Sequence, residues 1–91
     1  MDFEWDPAKA DANLRRHGVT FEEATTAFLD LNALTVYDEL HSDDEDRYLT
    51  IGYSQRGRLL IISHTDRDGA VRIISVRRPT RREENVYNDR R

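Results

Sequence analysis

The stretch Val71 to Glu84, VRIISVRRPTRREE, restricts the fold more than any other part of the chain. It opens with the β-branched residues Val71, Ile73, Ile74 and Val76, which suit a pleated, buried surface. Pro79 cannot donate to a strand ladder, so the strand is expected to stop before it. Thr80 and Glu83 have the spacing of a capping box, in which the hydroxyl takes one orphan N–H and the carboxylate reaches back to another. A buried strand therefore runs straight into a helix start. Arg72, Arg77, Arg78, Arg81 and Arg82 are strung along the junction. Cations at a helix N-terminus oppose the helix dipole. Their placement asks for an anionic partner.

The charge balance sharpens that point. The net charge of −4 hides an asymmetry: residues 67–91 carry +4 and residues 1–66 carry −8. Thirteen of the fourteen basic residues are Arg, the exception being Lys9. Arginine is the side chain suited to planar, bidentate phosphate contacts. An acidic chain is a poor non-specific nucleic-acid coat, but a local phosphate site remains compatible with it. At 91 residues the chain is read as one domain, 1–91, with a modest core. It has no cysteine, hence no disulfide framework and no thiolate chemistry. No apolar run approaches the roughly 18 residues of a membrane span, and a cytoplasmic location is expected.

Two helices precede the strands. Asp6-Pro7 reads as N-cap and first helical position, and Gly18 as the left-handed stop after Arg15, Arg16 and His17. Lys9, Asn13 and His17 share one face of this helix. That face is either a solvated polar stripe, which spacing alone favours, or a surface toward RNA or a partner. Thr20 and Glu23 mark a second capping box, with Phe21, Ala24, Phe28 and Leu31 facing inward. Phe3-Glu4-Trp5 is a short strand or a packed arm. Leu34 to Tyr37 reads as a strand.

Residues 38–46, DELHSDDED, hold six acids in nine positions and read as a solvated loop. They lack the alternation and central Gly of a calcium loop, and no metal is expected. Such a loop repels RNA, so it is expected to lie away from any phosphate site or to meet a basic protein partner. From Arg47 the chain becomes a meander of strands at 47–55, 58–66 and 71–78, followed by a helix over 80–91. This gives an α+β fold: two N-terminal helices on a four-stranded, mainly antiparallel sheet, with a C-terminal helix.

Register decides which side chains meet. A two-residue Arg56-Gly57 loop puts Leu49, Ile51, Leu60, Ile62 and His64 on one face. The next turn is either a two-residue Asp68-Gly69 loop or a three-residue Arg67-Asp68-Gly69 loop. The three-residue loop separates the faces better and is preferred. It adds Ile74 and Val76 to the helix-covered face and groups Arg47, His64 and Arg72 at its edge. Tyr48, Thr50, Ser63, Thr65, Ser75 and Arg77 then form a polar floor on the other side.

Three segments carry a family resemblance: FEWDPAKADANLRRHGVTFEEA, RYLTIGYSQRGRLLIISHT and RIISVRRPTRREENVY. In order and spacing the chain resembles the BrnT family of type II toxins. The K-x3-N-x3-H-G run is matched by Lys9, Asn13, His17 and Gly18. The pattern R-I-I-S-x-R-x-x-T-x-x-E is matched by Arg72, Ser75, Arg77, Thr80 and Glu83, and His64 matches the family's strand histidine. Val76-Arg77-Arg78-Pro79 departs from the pattern, in which Ala is expected before the arginines and in place of Pro79. The resemblance implies a RelE-like fold and a ribonuclease that blocks translation. It also implies a DNA-binding antitoxin of the BrnA kind, through which alone the pair would touch DNA and repress its own operon.

The residues suit that chemistry. RNA supplies its own nucleophile, the 2′-hydroxyl. The protein needs cations for the five-coordinate phosphorus, a base and an acid, and no cofactor. Arg72 and Arg77 are the candidates for phosphate and transition-state binding, with Arg47 as a third. Arg cannot be the base. His64 is the best candidate by reference pKa, with Tyr48 and Glu23 as substitutes and Tyr87 as a base-stacking side chain. Lys9, Ser75, Arg78 and Arg81 are further RNA-binding candidates. Each has a plainer role open to it: His64 as a hydrogen-bonded structural residue, Arg72 as an ion-pair partner. The competing function is a non-catalytic module that pairs with a DNA-binding partner.

Overall fold

The computed structural model describes residues 1–89. The order is β1 (Asp2–Glu4), α1 (Pro7–His17), α2 (Phe21–Ala27), β2 (Leu34–Tyr37), a 3-10 turn (Glu39–His41), β3 (Tyr48–Tyr53), β4 (Leu59–Arg67), β5 (Ala70–Arg77) and α3 (Arg81–Asp89). The expectation that Arg90 and Arg91 extend α3 falls outside the described residues. The strands form one five-stranded sheet in the order β1-β5-β4-β3-β2. This corrects the four-stranded expectation. Asp2–Glu4, overlapping the expected strand or arm at Phe3-Glu4-Trp5, forms a fifth strand, β1, which runs parallel to β5, while the other pairs are antiparallel.

The helix signals operate as local chemistry dictates. The Asp6 carboxylate accepts from Ala8 N–H at 2.8 Å, and Gly18 closes α1 at φ 70°. Thr20 caps α2 by accepting from Glu23 N–H. At α3 the capping box is reciprocal: Glu83 N–H donates to the Thr80 hydroxyl and Thr80 N–H to the Glu83 carboxylate.

The hairpin loops depart from expectation, and both for the same reason. A two-residue Arg56-Gly57 loop of type I′ needs positive φ at Arg56. Instead Gly57 N–H donates to Ser54 C=O, and Ser54 N–H to Arg58 C=O, with only Gly57 left-handed at φ 76°. At the next turn Asp68 does take a positive φ, 53°, so Asp68-Gly69 forms the two-residue loop. Asp tolerates that region and Arg does so poorly. The first loop slips the expected register by one residue. Tyr48 now opposes His64, and Thr50 opposes Ile62.

A bulge then corrects the register of β5. His64 pairs with Ile73 but Ser63 pairs with Ser75, so Ile74 has no opposite. The extra residue lets Ile73 and Val76, three apart, both face the helices. Arg77 turns to the other side.

The sheet is consequently buried on two faces. Leu60, Ile62, Ile73 and Val76 pack against Val19, Phe21, Ala24 and Ala27 of the α1–α2 layer. Ile51, Leu59 and Ile61 pack against Tyr87 of α3. The continuous run Leu59-Leu60-Ile61-Ile62 is therefore buried on alternate sides, each full burial worth about 1.5–3 kcal/mol. Leu31, expected inside, is fully exposed.

Strand β1 pairs with β5 only at residues 70–72. Beyond that the edge of β5 is closed by a side chain. Asn13 of α1 donates to Val76 C=O at 2.9 Å and to Val19 C=O at 3.1 Å, and accepts from Val76 N–H at 3.0 Å. The amide imitates a missing strand. Substituting Asn13→Leu leaves three buried backbone groups without partners, so stability should fall by about 2–4 kcal/mol. Urea denaturation tests this; a loss under about 0.5 kcal/mol would show that another group takes over the edge.

Candidate active site

Arg77 is the last residue of β5, and α3 begins four residues later. That proximity holds the guanidinium in place. Its Nη1 and Nη2 donate to the two Glu83 oxygens at 2.8 and 2.9 Å. Nη1 also donates to Arg78 C=O at 3.3 Å. Its Nε–H and one Nη2 hydrogen point to no protein acceptor among the described residues, which is what a phosphate needs. The arginine hydrogen bonds hold Glu83 down to a pKa of about 2. Glu83 in turn raises that of Arg77. The pair stays ionised across the working range.

Arg77 lines a groove of about 360 Å³ together with Arg47, Ser63, Ser75, Asp38 and His41. A second groove of about 190 Å³, lined by Lys9, Arg16 and His17, meets it at Ile74 and Ser75. The β5 bulge is the shared floor. Together they place Arg77, Arg47, Ser75, Lys9 and Arg16 along one path.

Not all the expected residues lie on it. His64 lies on the helix-covered face, 5% exposed. Its Nε2 is 2.8 Å from Thr50 Oγ1, which is itself 2.7 Å from Thr35 Oγ1. Phe28 meets the ring edge-on at 5.1 Å, and Tyr48 stacks on it at 6.0 Å. Burial lowers the His64 pKa, against a smaller opposing pull from Asp66. The sheet thus separates His64 from Arg77, and Tyr48 goes with His64. Arg72 pairs with Glu4 at 3.6 Å beside β1. Arg78 and Arg81 are exposed and line neither groove.

The two substitutes are also engaged. Glu23 is buried and accepts from the Ser54 hydroxyl at 2.7 Å and from Arg58 Nε at 2.9 Å, with Arg58 Nη2 on its other oxygen. Arg58 holds the Glu23 carboxyl below its usual pKa. It fastens the β3–β4 turn to α2. Tyr87 is buried, donates to Asp30 at 2.6 Å and meets Tyr53 edge-on, so its ring is not a platform for a base.

The acidic loop brings two residues that no sequence motif singles out, Asp38 and His41. Rather than standing away from the arginines, it supplies one wall of their groove. Ser42 draws its ends together: the hydroxyl donates to Asp38 C=O at 2.6 Å and accepts from Arg47 N–H at 2.9 Å. Asp38 N–H donates to Arg47 C=O. Asp46 accepts from the Tyr37 hydroxyl and Glu45 pairs with Arg67, so these acids are occupied outside the groove. Only Asp38 and His41 of the loop's ionisable groups turn into it, 2.9 Å apart from carboxylate to Nδ1. The Asp-x-x-His spacing across a short turn was the available signal.

A family model described as "Ribonuclease toxin, BrnT, of type II toxin-antitoxin system" matches residues 5–83. The chain belongs to the BrnT family. Its target is therefore RNA and its partner an antitoxin, as for ribonuclease toxins of type II systems. The 1.1 Å crystal structure of the Brucella abortus ribonuclease toxin BrnT has the same fold, with a TM-score of 0.70. The match covers 89% of this chain and 99% of that one at 20% identity. No curated protein sequence matches. The BrnT match ends at Glu83, the residue that orients Arg77, and includes both grooves' charged residues.

No helix among the described residues is long and apolar enough to cross a membrane. The burial of His64 has a consequence that can be measured. Its folded pKa lies below the ordinary 6.5, so below about pH 6.5 the unfolded chain takes up a proton that the folded one does not. Stability should therefore fall as pH drops below about 6.5, and His64→Gln should flatten that decline. A wild-type stability that holds or rises on acidification to pH 5 would place a charged imidazole in the core.

Proposed function

We propose that this BrnT-family toxin is a metal-independent endoribonuclease that inhibits translation, with the groove between β5 and the Asp38–Arg47 loop as its site. The observation that carries the reading is Arg77. Its guanidinium is oriented by two bonds to Glu83, keeps N–H donors for a phosphate, and shares a groove with Arg47. Ser63 and Ser75 add hydroxyls, and Lys9 and Arg16 continue the positive path across the bulge.

In this reading the 2′-hydroxyl attacks the adjacent phosphorus and the 5′-oxygen leaves. Arg77 and Arg47 hold the non-bridging oxygens as negative charge grows on them, and fixed donors of that kind act most strongly in a site with little water. Arginine supplies the positive charge that a metal supplies in other nucleases. His64 and Arg72 serve the fold, on their burial and ion pairing. The antitoxin is of the BrnA kind and carries the DNA-binding domain. The acidic net charge of −4 supports a toxin that meets DNA only through that partner, as part of a complex that represses its own operon. The expected compartment is the cytoplasm, where RNA and ribosomes are.

Purified protein incubated with RNA, free and ribosome-bound, tests the reading. Excess chelator should leave cleavage unchanged. Arg77→Ala should lower it by about 100-fold or more, the scale of losing one transition-state donor, with the fold and antitoxin binding retained. Strong inhibition by chelator would refute the metal-free mechanism. Undiminished cleavage by Arg77→Ala would refute the site.

A further inference from the structure

Transesterification needs a base for the 2′-hydroxyl, and Arg77 and Arg47 cannot be that base. The histidine with the right general chemistry in the sequence pattern, His64, is shut in the core behind the sheet. The groove contains another. We infer that His41 is the general base of the cleavage reaction and that Asp38 is its positioning residue. The inference rests on the reading of the groove as the RNA site.

Three features carry it. First, His41 and Asp38 line the same groove as Arg77, Arg47 and Ser75. Second, the pair has the geometry of an oriented base. Asp38 Oδ2 lies 2.9 Å from His41 Nδ1, and a carboxylate only accepts, so Nδ1 carries the hydrogen and Nε2 is left as the acceptor. The Asp38 side chain is 12% exposed and that of His41 is 64% exposed, which fits an anchored carboxylate and an imidazole open to substrate. Third, the loop is built to hold this position. The Ser42 hydroxyl bridges the backbones of Asp38 and Arg47, and Thr65 donates to Asp46 C=O at 2.7 Å, tying the loop to β4.

The step balances without a co-reactant. His41 Nε2 takes the 2′-hydroxyl proton as the O2′–P bond forms. The P–O5′ bond breaks, and O5′ takes a proton from water or from the imidazolium. The products are a 2′,3′-cyclic phosphate and a 5′-hydroxyl. The charged groups around His41 are Asp38 on Nδ1, Arg47 and Arg77 in the same groove, and Asp43, Asp44 and Glu45, which line an adjoining cavity of about 200 Å³ together with His41 and Arg47.

The test compares His41→Ala, Asp38→Asn and Arg77→Ala with wild type on the same RNA. His41→Ala should cut kcat by about 100-fold or more, the usual scale for losing a general base. KM should stay within about threefold, the acid limb of the pH–rate profile should vanish, and added imidazole should restore part of the rate. Asp38→Asn should move the acid limb rather than abolish it. His41 is exposed, so its removal should leave the thermal melt unchanged. An active His41→Ala with an unaltered pH profile, beside an inactive Arg77→Ala, would overturn the assignment and leave the groove reading standing. An Arg77→Ala as active as wild type would remove the groove reading and the His41 assignment together.

Discussion

The Asn13 amide and the backbone of Val76 exchange two hydrogen bonds, and the rest of the structure depends on that exchange. It closes the edge of β5 at Val76, beyond Arg72, where β1 stops pairing, and just after the bulge at Ile74. Without a partner there, two buried backbone groups have no acceptor or donor, a cost of about 1–3 kcal/mol each. With it, β5 can carry an extra residue and still remain in the sheet. The bulge sends Val76 into the core and Arg77 out on the opposite face. One helix side chain therefore sets the direction of the arginine on which the proposed chemistry turns.

The Arg77–Glu83 pair has a different role. It is part-exposed, so its net contribution to stability is about 0–1 kcal/mol. What it supplies is orientation. Glu83 is also the reciprocal member of the α3 capping box, so the helix start and the arginine share one carboxylate. Pro79, between them, ends the strand and keeps the junction short. The departure from the family pattern at that position thus leaves the capping chemistry intact.

Features encoded by a single residue or a short spacing were legible from the sequence: the Asp6 and Thr20 caps, the Gly18 stop, the Thr80–Glu83 box and the β2 boundaries. Features decided by competition between conformations were not. Arg56 avoids a positive φ and Asp68 accepts one, and these two preferences set the register of three strands. The slip left His64 on the helix-covered face but moved Arg47, Leu49 and Ile51 to the opposite one and brought Tyr48 and Thr50 beside it, and no local pattern around Ser63-His64 announces the bulge. The fifth strand was harder still, because each of its residues pairs with one of β5 that lies 68 positions further along the chain. The acidic run misled through its charge. Counting acids gave a solvated loop. Ser42, Tyr37 and Arg67 in fact occupy its backbone and two of its acids and leave Asp38 and His41 facing the groove.

Binding of an uncleavable RNA, with a 2′-deoxy sugar at the scissile step, tests most directly whether this groove is the RNA site. Two-dimensional NMR of the labelled protein would follow the Arg47 and Ser75 amides, the Arg77 Nε–H and the His41 ring. All four should shift together on titration, with the His64 ring unmoved. Shifts concentrated on the exposed start of α3, at Arg81 and Arg82, with the groove silent, would contradict the account.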